Sequence, residues 1–344
     1  ILILENRGQL RLHDDVRDYV PELPDYGTTI TLQHLLTMTS GLWDGLNVLL
    51  FSGMDGSSRV SREQMLSLIA QQRRLMFAPG DGWQYSNSNY VLLSLIIERL
   101  SGKSLAEFMK DELFDPLEMN SSILTPIDTR VTRNKARGYI PSPGGYLESG
   151  LMHVELCGDG GVDSTILDMT RWFLNYRDDK LFGPDYRLRL EAKNRLNDGR
   201  LLDYRLGINV STYRGLEKVR HSGGMPGYLC DFTFFPQGDL GIVLFANSFE
   251  PTILELTDHV ADIVLESSFP EARQSAFASQ RDTTTPLLRG VYASEEHQLL
   301  AEFTIEDGTL VFYLLGERNL LLPQPDKRLA PADRKFFISI SNQN

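Results

Sequence analysis

The sequence predicts an α+β domain (an α/β sandwich) in which helices cover an antiparallel sheet, followed by a second, β-rich module. Helical patterns dominate the first 200 residues. From about Tyr204, apolar residues instead alternate at every second position over four successive segments, and a further helical pattern over 251–267 closes the region. Because an amphipathic helix must bury its apolar face, we expect the helices to pack against this sheet.

Capping residues and apolar periodicity predict the helices one by one. Thr31 and Thr165 are N-cap candidates, and Gly8 and Gly41 are candidate helix ends. The predicted helices cover residues 1–4, 31–41, 61–72, 88–100, 105–114 and a stretch that begins at 165. The Gly- and Pro-containing stretches 43–62 and 126–150 are predicted to be irregular, and 78–82 to be a turn.

The strand-rich part of the chain divides into two regions. Four strands are predicted between 204 and 248, with turns at Arg214-Gly215 and 237–239. The predicted organisation is a domain over 1–267, a linker over 268–285 with few large apolar residues, and an incomplete β-rich module over 286–344. Within that module, Asp307-Gly308 is a strong hairpin signal, and KFFISIS near the end alternates.

Composition limits the classes of partner. The 344 residues are 42% apolar and carry a net charge of −12, so the surface has no general attraction for nucleic acid or anionic lipid. No apolar run is long enough for a membrane helix. We therefore expect no nucleic acid and no membrane span. A small-molecule or short-peptide substrate is compatible with this charge, because a local pocket can have any sign. A homo-oligomer stays open, and so does the compartment, cytoplasmic or periplasmic.

The two cysteines, Cys157 and Cys230, form no disulfide framework and no metal-binding spacing. Two buried thiols are the favoured interpretation, and a single bridge is the alternative.

Tyr85-Ser86-Asn87, at the mouth of a predicted helix, is the first stretch that can carry chemistry. A tyrosine beside a cation can lose its proton more easily and then relay a proton between a hydroxyl nucleophile and a leaving group. Asn87 can hydrogen-bond a substrate carbonyl. By itself the tripeptide fits a packing role better, because an aromatic residue before a helix often serves as a packing staple.

The second stretch is His221-Ser222-Gly223-Gly224, at the end of a predicted strand. Small residues here let a substrate lie along the backbone, and the N–H of Gly224 can stabilise an oxyanion. The alternative is a glycine-rich hairpin with a solvated histidine. Asp159, in a glycine-rich loop, either borders the site and recognises an amino group or is a turn residue.

Several stretches together resemble the serine β-lactamase and penicillin-binding-protein family, in its class C β-lactamase-like branch. They are TLQHLLTMTSGL, PGDGWQYSNSNYVLLSLIIERLSGKSLAEFM, ELFDPLEM, GDGGVDSTILDM and HSGGMPGYLCDFTFFPQGDLGIVLFANS, and the resemblance spans about residues 1–265. The His-x-Gly form, its separation from Tyr-x-Asn and the β-rich module are similar to D-stereospecific aminopeptidases, in which antiparallel β-barrel domains follow the catalytic domain.

The resemblance implies a β-lactamase/transpeptidase-like fold followed by part of an antiparallel β-barrel, and a serine hydrolase that needs no cofactor and no metal. It assigns catalytic roles to Tyr85, His221 and Gly224. Asn87, Ser222 and Gly223 would bind the substrate, as would Asp159. β-Lactamase, D-Ala-D-Ala carboxypeptidase and esterase activity remain alternatives.

The remaining motif of that family, Ser-x-x-Lys, does not occur in this sequence. In the family it lies shortly before the stretch that ILILENRGQL resembles, so we expect the nucleophile and its lysine upstream of Ile1. A non-catalytic pseudoenzyme is the alternative. Ser40 is expected to be structural, and the sequence suggests no partner for His34 or His153.

Overall fold

The computed structural model describes residues 1–52, 59–125, 132, 134–149, 158–183, 185–250 and 255–269, together with five strands between 290 and 331. The chain forms two compact units, Ile1–Glu271 and Ala272–Asn344. The expected linker over 268–285 lies almost wholly outside the described residues, so the three-part division stays a prediction.

Most helices precede the main sheet, as the periodicity predicts. They are α1 Leu2–Asn6, α2 Leu32–Leu36, α3 Gly45–Phe51, α4 Arg62–Ala70, α5 Asn87–Ser101, α6 Leu105–Met109, α7 Ile166–Asp178, α8 Tyr186–Leu190 and α9 Leu256–Val264. A π-helical turn, Lys110–Phe114, extends α6. None of the described helices is long and apolar enough to cross a bilayer.

The main sheet has four antiparallel strands that lie side by side in chain order. They are β7 Asn209–Tyr213, β8 Leu216–Met225, β9 Tyr228–Phe235 and β10 Leu240–Ala246. Arg214 and Gly215, between β7 and β8, both have positive φ, which matches the twist of a tight hairpin. Short two-stranded ribbons surround the sheet: β1 Ile123–Leu124 with β4 Val162–Asp163, β2 Tyr139–Ser142 with β3 Gly145–Glu148, and β5 Asn194–Arg195 with β6 Leu201–Leu202.

Both faces of this sheet are covered by helices. Neighbouring residues on a strand point to opposite faces, and Phe234 and Phe235 are both fully buried. Phe234 packs with Tyr176 of α7, whereas Phe235 packs with Ala261 of α9. At Gly241 a Cβ atom would lie 2.3 Å from the ring of Phe173 of α7, so a glycine is needed for α7 to lie this close to β10.

A second core lies among the upstream helices and surrounds α5. Leu92 and Ile96 of α5 are fully buried and pack with Leu35 of α2 and Ile69 of α4. Burying such a side chain contributes roughly 1.5–3 kcal/mol. The α5 helix ends at Gly102, which has a φ of +69°, the left-handed conformation that suits glycine at a helix end. This core fixes the position of the residues that precede α5.

Helix α2 is shorter than expected and ends at Leu36 instead of near Gly41. Tertiary hydrogen bonds divert the chain after this point. Met38 adopts a φ of +60°, and its sulfur accepts hydrogen bonds from Asn89 and from the Ser86 N–H. The sequence pattern could not reveal partners that lie about 50 residues away.

Two stretches expected to be irregular contain regular structure. Within 43–62, α3 forms because the carboxylate of Asp44 caps its first turn by accepting the N–H of Asn47 at 2.9 Å. Within 126–150, β2 and β3 form a hairpin whose Tyr139 exchanges backbone hydrogen bonds with Asn247 and Phe249. A capping hydrogen bond stabilises α3, and hydrogen bonds to a neighbouring segment stabilise the hairpin. Neither contact is visible in the weak apolar pattern of these stretches.

The second unit is described through five antiparallel strands in consecutive order. They are β11 Gly290–Ser294, β12 Leu299–Glu306, β13 Thr309–Leu314, β14 Glu317–Pro323 and β15 Leu329–Pro331. Glu306 pairs with Thr309, which confirms the hairpin expected around Asp307-Gly308. The KFFISIS segment lies outside the described residues, and a barrel stays a prediction.

Candidate active site

Tyr85 stands just before α5, at the mouth of the helical core. The neighbouring Ser86 is the N-cap residue and is fully buried, so it anchors the segment. Tyr85 itself remains 37% exposed and can therefore meet a substrate.

The fold brings Tyr85 next to His221, which lies 136 residues further along the chain. Their ring centroids are 6.3 Å apart. Tyr204 completes the cluster, with its ring centroid 6.3 Å from that of Tyr85 and 6.0 Å from that of His221. Trp83 packs on Tyr204 at 5.7 Å. The two motifs that the sequence singles out therefore face one another across an aromatic cluster.

His221 has both ring nitrogens engaged within the protein. Nδ1 lies 2.7 Å from the carbonyl oxygen of Ser222, and Nε2 lies 3.2 Å from the hydroxyl of Tyr204. A carbonyl only accepts, so Nδ1 carries the proton, and in the neutral ring Nε2 accepts from Tyr204. Burial lowers the pKa of His221, although the carbonyl of Ser222 and the charge of Asp231 oppose this effect. The histidine is thus held as a neutral ring.

The surroundings of Tyr85 favour the protonated phenol. Burial raises its pKa, and the negative charges of Asp159 and Asp44 raise it further. The sequence-based hypothesis needed a neighbouring cation, and the described charges that act on this phenol are negative. A tyrosine in this setting needs an added positive charge before it can act as a base.

Asn87, the first residue of α5, is held by Asp44. The side-chain Nδ2 and the backbone N–H of Asn87 both donate to Oδ2 of Asp44, each at 2.7 Å. The other carboxylate oxygen caps α3 through Asn47. The buried carboxylate of Asp44 therefore connects the start of α3 to the start of α5, beside the candidate site.

The strand that carries His221 is open along part of one edge. β7 pairs with β8 only as far as Arg220, whereas β9 pairs with it from Val219 to Met225. Among the described strands, none pairs with Ser222, Gly223 and Gly224 on the β7 side. This half of β8 can receive an extended substrate in the manner of an added strand.

Side chains would crowd both glycines of this edge. A Cβ atom on Gly223 would lie 2.8 Å from Sγ of Cys230 on β9, and one on Gly224 would lie 3.2 Å from both Leu229 and Phe249. Cys230 is a free, half-buried thiol, whereas Cys157 lies outside the described residues.

Asp159 lies in a loop that packs against α5. At Gly158 a Cβ atom would meet the carbonyl oxygen of Tyr90 at 2.6 Å, so the loop backbone passes directly over the helix. This contact brings the charge of Asp159 close enough to act on Tyr85. Asp159 is thus one of the two carboxylates whose charge raises the pKa of Tyr85, after the larger effect of burial.

Ser40 and His34 both make hydrogen bonds that stabilise the fold. Ser40 is buried and donates to Asn89 at 2.6 Å, which fits the structural interpretation. His34 has a partner after all, because its Nδ1 accepts the N–H of Thr31 in a capping box. His153 lies outside the described residues. No group of three or more metal-ligating side chains occurs within the described part of the chain.

Sequence reasoning missed Tyr204 and Asp44. Both are common residue types in unremarkable local sequence, and each acquires its role only through a contact with another segment. The sequence contains one signal for Asp44: an aspartate directly after TSGLW is a candidate helix N-cap. The apolar pattern did not reveal the helix that follows it.

A helix-covered antiparallel sheet with Tyr-x-Asn at a helix start and His-x-Gly on a facing strand defines a protein of the β-lactamase/transpeptidase-like fold class. The chain belongs to the Beta-lactamase family, whose profile matches residues 1–265. The family and the fold inferred from the sequence motifs are thereby confirmed.

Three known proteins illustrate the relationship. Penicillin-binding protein 4* of Bacillus subtilis is 29% identical over 294 residues, which are 76% of this chain and 61% of the relative. A D-aminopeptidase of Cereibacter sphaeroides is 27% identical over 253 residues, 72% of this chain and 47% of the relative. The octameric penicillin-binding protein homologue from Pyrococcus abyssi superposes with a TM-score of 0.68 at 22% identity, over 97% of this chain and 79% of its own. The chain thus spans about half of the length of the D-aminopeptidase and about three-fifths of the length of penicillin-binding protein 4*.

Proposed function

We propose that the protein is a serine hydrolase that acts through an acyl-enzyme on amide or peptide substrates, with the preference of a D-aminopeptidase. The observation that carries this proposal is the convergence of Tyr85 and His221, from segments 136 residues apart, with Asn87 at the start of the adjoining helix. The relative named D-aminopeptidase supports the choice within the family.

This proposal requires the serine and the lysine of a Ser-x-x-Lys motif, which the 344 residues do not contain. The ammonium of that lysine would supply the positive charge that the surroundings of Tyr85 lack, lowering the phenol's pKa. Tyr85 would accept the serine proton as the serine oxygen bonds to the substrate carbonyl carbon, and would pass that proton to the departing amine. Water would then hydrolyse the ester and release the acid and the free serine.

The open edge of β8 would hold the substrate. The backbone of Ser222 and Gly223 offers groups to an extended chain, and the N–H of Gly224 would form half of the oxyanion hole. The serine's own N–H would supply the other half. Asn87, at the start of α5, would help to fix the substrate.

Charge favours a substrate with a free amino group. A neutral His221 whose ring nitrogens are both engaged offers a substrate carboxylate no cation. Asp159, in contrast, brings a negative charge to the border of the site, where it would pair with an ammonium group. Both features support an aminopeptidase over a β-lactamase or carboxypeptidase, whose substrates carry a carboxylate.

The test is a comparison of substrates with the full-length protein. We expect turnover of D-alanine p-nitroanilide with a kcat/KM well above that for its L-isomer and for nitrocefin, with p-nitrophenyl acetate as the esterase reference. Tyr85→Phe should lower kcat by about 10²–10⁴-fold, the usual contribution of a general base. Hydrolysis of nitrocefin or of the ester alone would move the assignment to another branch of the family. No turnover of any of these substrates, with no serine in the position of the nucleophile, would favour a binding protein.

A further inference from the structure

We propose that Asp44 is a positioning residue for the reaction: it fixes the side-chain amide of Asn87 so that the carbonyl oxygen Oδ1 faces the substrate site. This inference rests on the proposed function for its role in turnover, but the orientation itself is measurable without turnover.

The chemistry of the two side chains determines the orientation. An ionised carboxylate only accepts hydrogen bonds, so the atom of Asn87 that lies 2.7 Å from Oδ2 of Asp44 must be the Nδ2 donor. The opposite orientation would place two oxygens against each other. Oδ1 of Asn87 is therefore directed away from Asp44, where it can serve as an acceptor. It suits an ammonium group or an N–H of an extended substrate.

A second contact holds the pair rigid. The backbone N–H of Asn87 also donates to Oδ2 of Asp44, so both the main chain and the side chain of Asn87 are tied to one oxygen. Asp44 itself is fixed because its other oxygen caps α3 through Asn47. With Asp44 only 7% exposed, water does not compete freely for these contacts.

Asp44 also contributes charge to the site. It acts on Tyr85 together with Asp159, so two negative charges act on one phenol. A site of this kind accepts a cation readily, which agrees with an Oδ1 acceptor at Asn87. The orientation of the Asn87 amide and the negative charge at the site thus both favour a substrate with a cationic group.

Two variants of the full-length protein test the proposal. Asp44→Ser keeps an oxygen that can cap α3 but has no second oxygen for Asn87. Asp44→Asn has one acceptor oxygen for two donor sites, so it cannot satisfy both Asn47 and Asn87. Asp115→Asn, which removes an exposed partner of Lys110, is the matched control. We expect kcat to fall about 100-fold in both Asp44 variants, with a smaller change in KM, because misplacing a contact of the reacting group by about 1 Å can cost that much.

A structural measurement separates this inference from the proposed function. In ¹⁵N-resolved NMR spectra, the Asn87 side-chain amide, assigned by its loss in Asn87→Ala, should move upfield in proton shift in Asp44→Ser as its hydrogen bond to the carboxylate is lost. Circular dichroism and thermal unfolding establish which variants are folded. A folded Asp44→Ser variant with an unchanged Asn87 amide signal, or with wild-type kcat in an active protein, would overturn the proposal. An inactive wild-type protein whose Asn87 amide still shifts would contradict only the proposed function.

Discussion

At the scale of single residues, the site depends on how hydrogen bonds select one form of each side chain. Tyr204 and the carbonyl of Ser222 hold His221 in one neutral tautomer, and the carboxylate of Asp44 selects one orientation of Asn87. The hydroxyl of Tyr204 and the carboxylate of Asp44 belong to residues that neither catalytic motif identifies. A histidine or asparagine in a motif is therefore defined chemically by partners from elsewhere in the chain.

Replacing Tyr204 by phenylalanine tests the role of this hydroxyl. The bond from Tyr204 stabilises the neutral ring of His221, so its removal makes protonation easier, and the pKa of His221 should rise. NMR titration of the His221 ring protons in wild type and Tyr204→Phe measures the change. A pKa that stays the same or falls would show that the hydroxyl does not donate to Nε2.

At the scale of elements, the close packing of β8 and β9 requires glycine where the substrate is expected to lie. Gly223 is directly opposite Cys230 in the ladder. Gly223→Ala would bring the new methyl group to 2.8 Å from Sγ. We expect this substitution to lower the free energy of unfolding by about 1–3 kcal/mol, the usual cost of overpacking.

The companion variant Cys230→Ala identifies the cause. In that background Sγ is gone, and Gly223→Ala should then cost less than about 1 kcal/mol. A double-mutant cycle measured by urea unfolding gives the coupling between the two positions. Additive effects would mean that the cost of the methyl group comes from the backbone and not from the thiol.

The capping box of α2 predicts a pH-dependent stability. His34 accepts the N–H of Thr31 through a neutral Nδ1, and burial, with a smaller contribution from His13, lowers the pKa of His34. Because the folded-state pKa lies below the unfolded value of about 6.5, the unfolded chain binds more protons. Stability is therefore present above pH ~6.5 and is lost as the pH falls through the folded-state pKa.

Glutamine at position 34 would keep the capping box without titrating. His34→Gln should match the wild type at pH 7.5 and exceed its free energy of unfolding at pH 5 by about 1 kcal/mol, the size of a lost cap. His34→Ala should be less stable than His34→Gln at both pH values. Urea unfolding at the two pH values tests this, and parallel pH profiles for wild type and His34→Gln would contradict it.

At the scale of the whole molecule, the proposed chemistry requires a motif that the 344 residues do not contain. We expect this polypeptide, expressed alone, to show no hydrolysis of D-alanine p-nitroanilide above background, because its sequence lacks the Ser-x-x-Lys motif that would give Tyr85 a serine to deprotonate and a lysine. A continuous p-nitroaniline assay with purified chain measures this. Turnover that disappears in Tyr85→Phe would show that another nucleophile serves the site.

The sequence by itself determined the family, the layered fold and the residues of the two motifs. Alternation predicted the four main strands, and the residues at Arg214-Gly215 predicted their tight turn, because these signals depend on neighbours in the chain. The helix starts at Ser61 and Thr165 were predictable for the same reason, because each capping side chain accepts the N–H of a residue three positions further on.

Only the tertiary structure decided what the motif residues are able to do. Asp44 holds Asn87 from 43 residues away, and Tyr204 reaches His221 from a separate segment. Burial, together with the negative charges of Asp159 and Asp44, raises the pKa of Tyr85, whereas the sequence alone predicted a lowered pKa. Hydrogen bonds and charges act over a few ångströms regardless of sequence separation, so a pattern read along the chain cannot contain them.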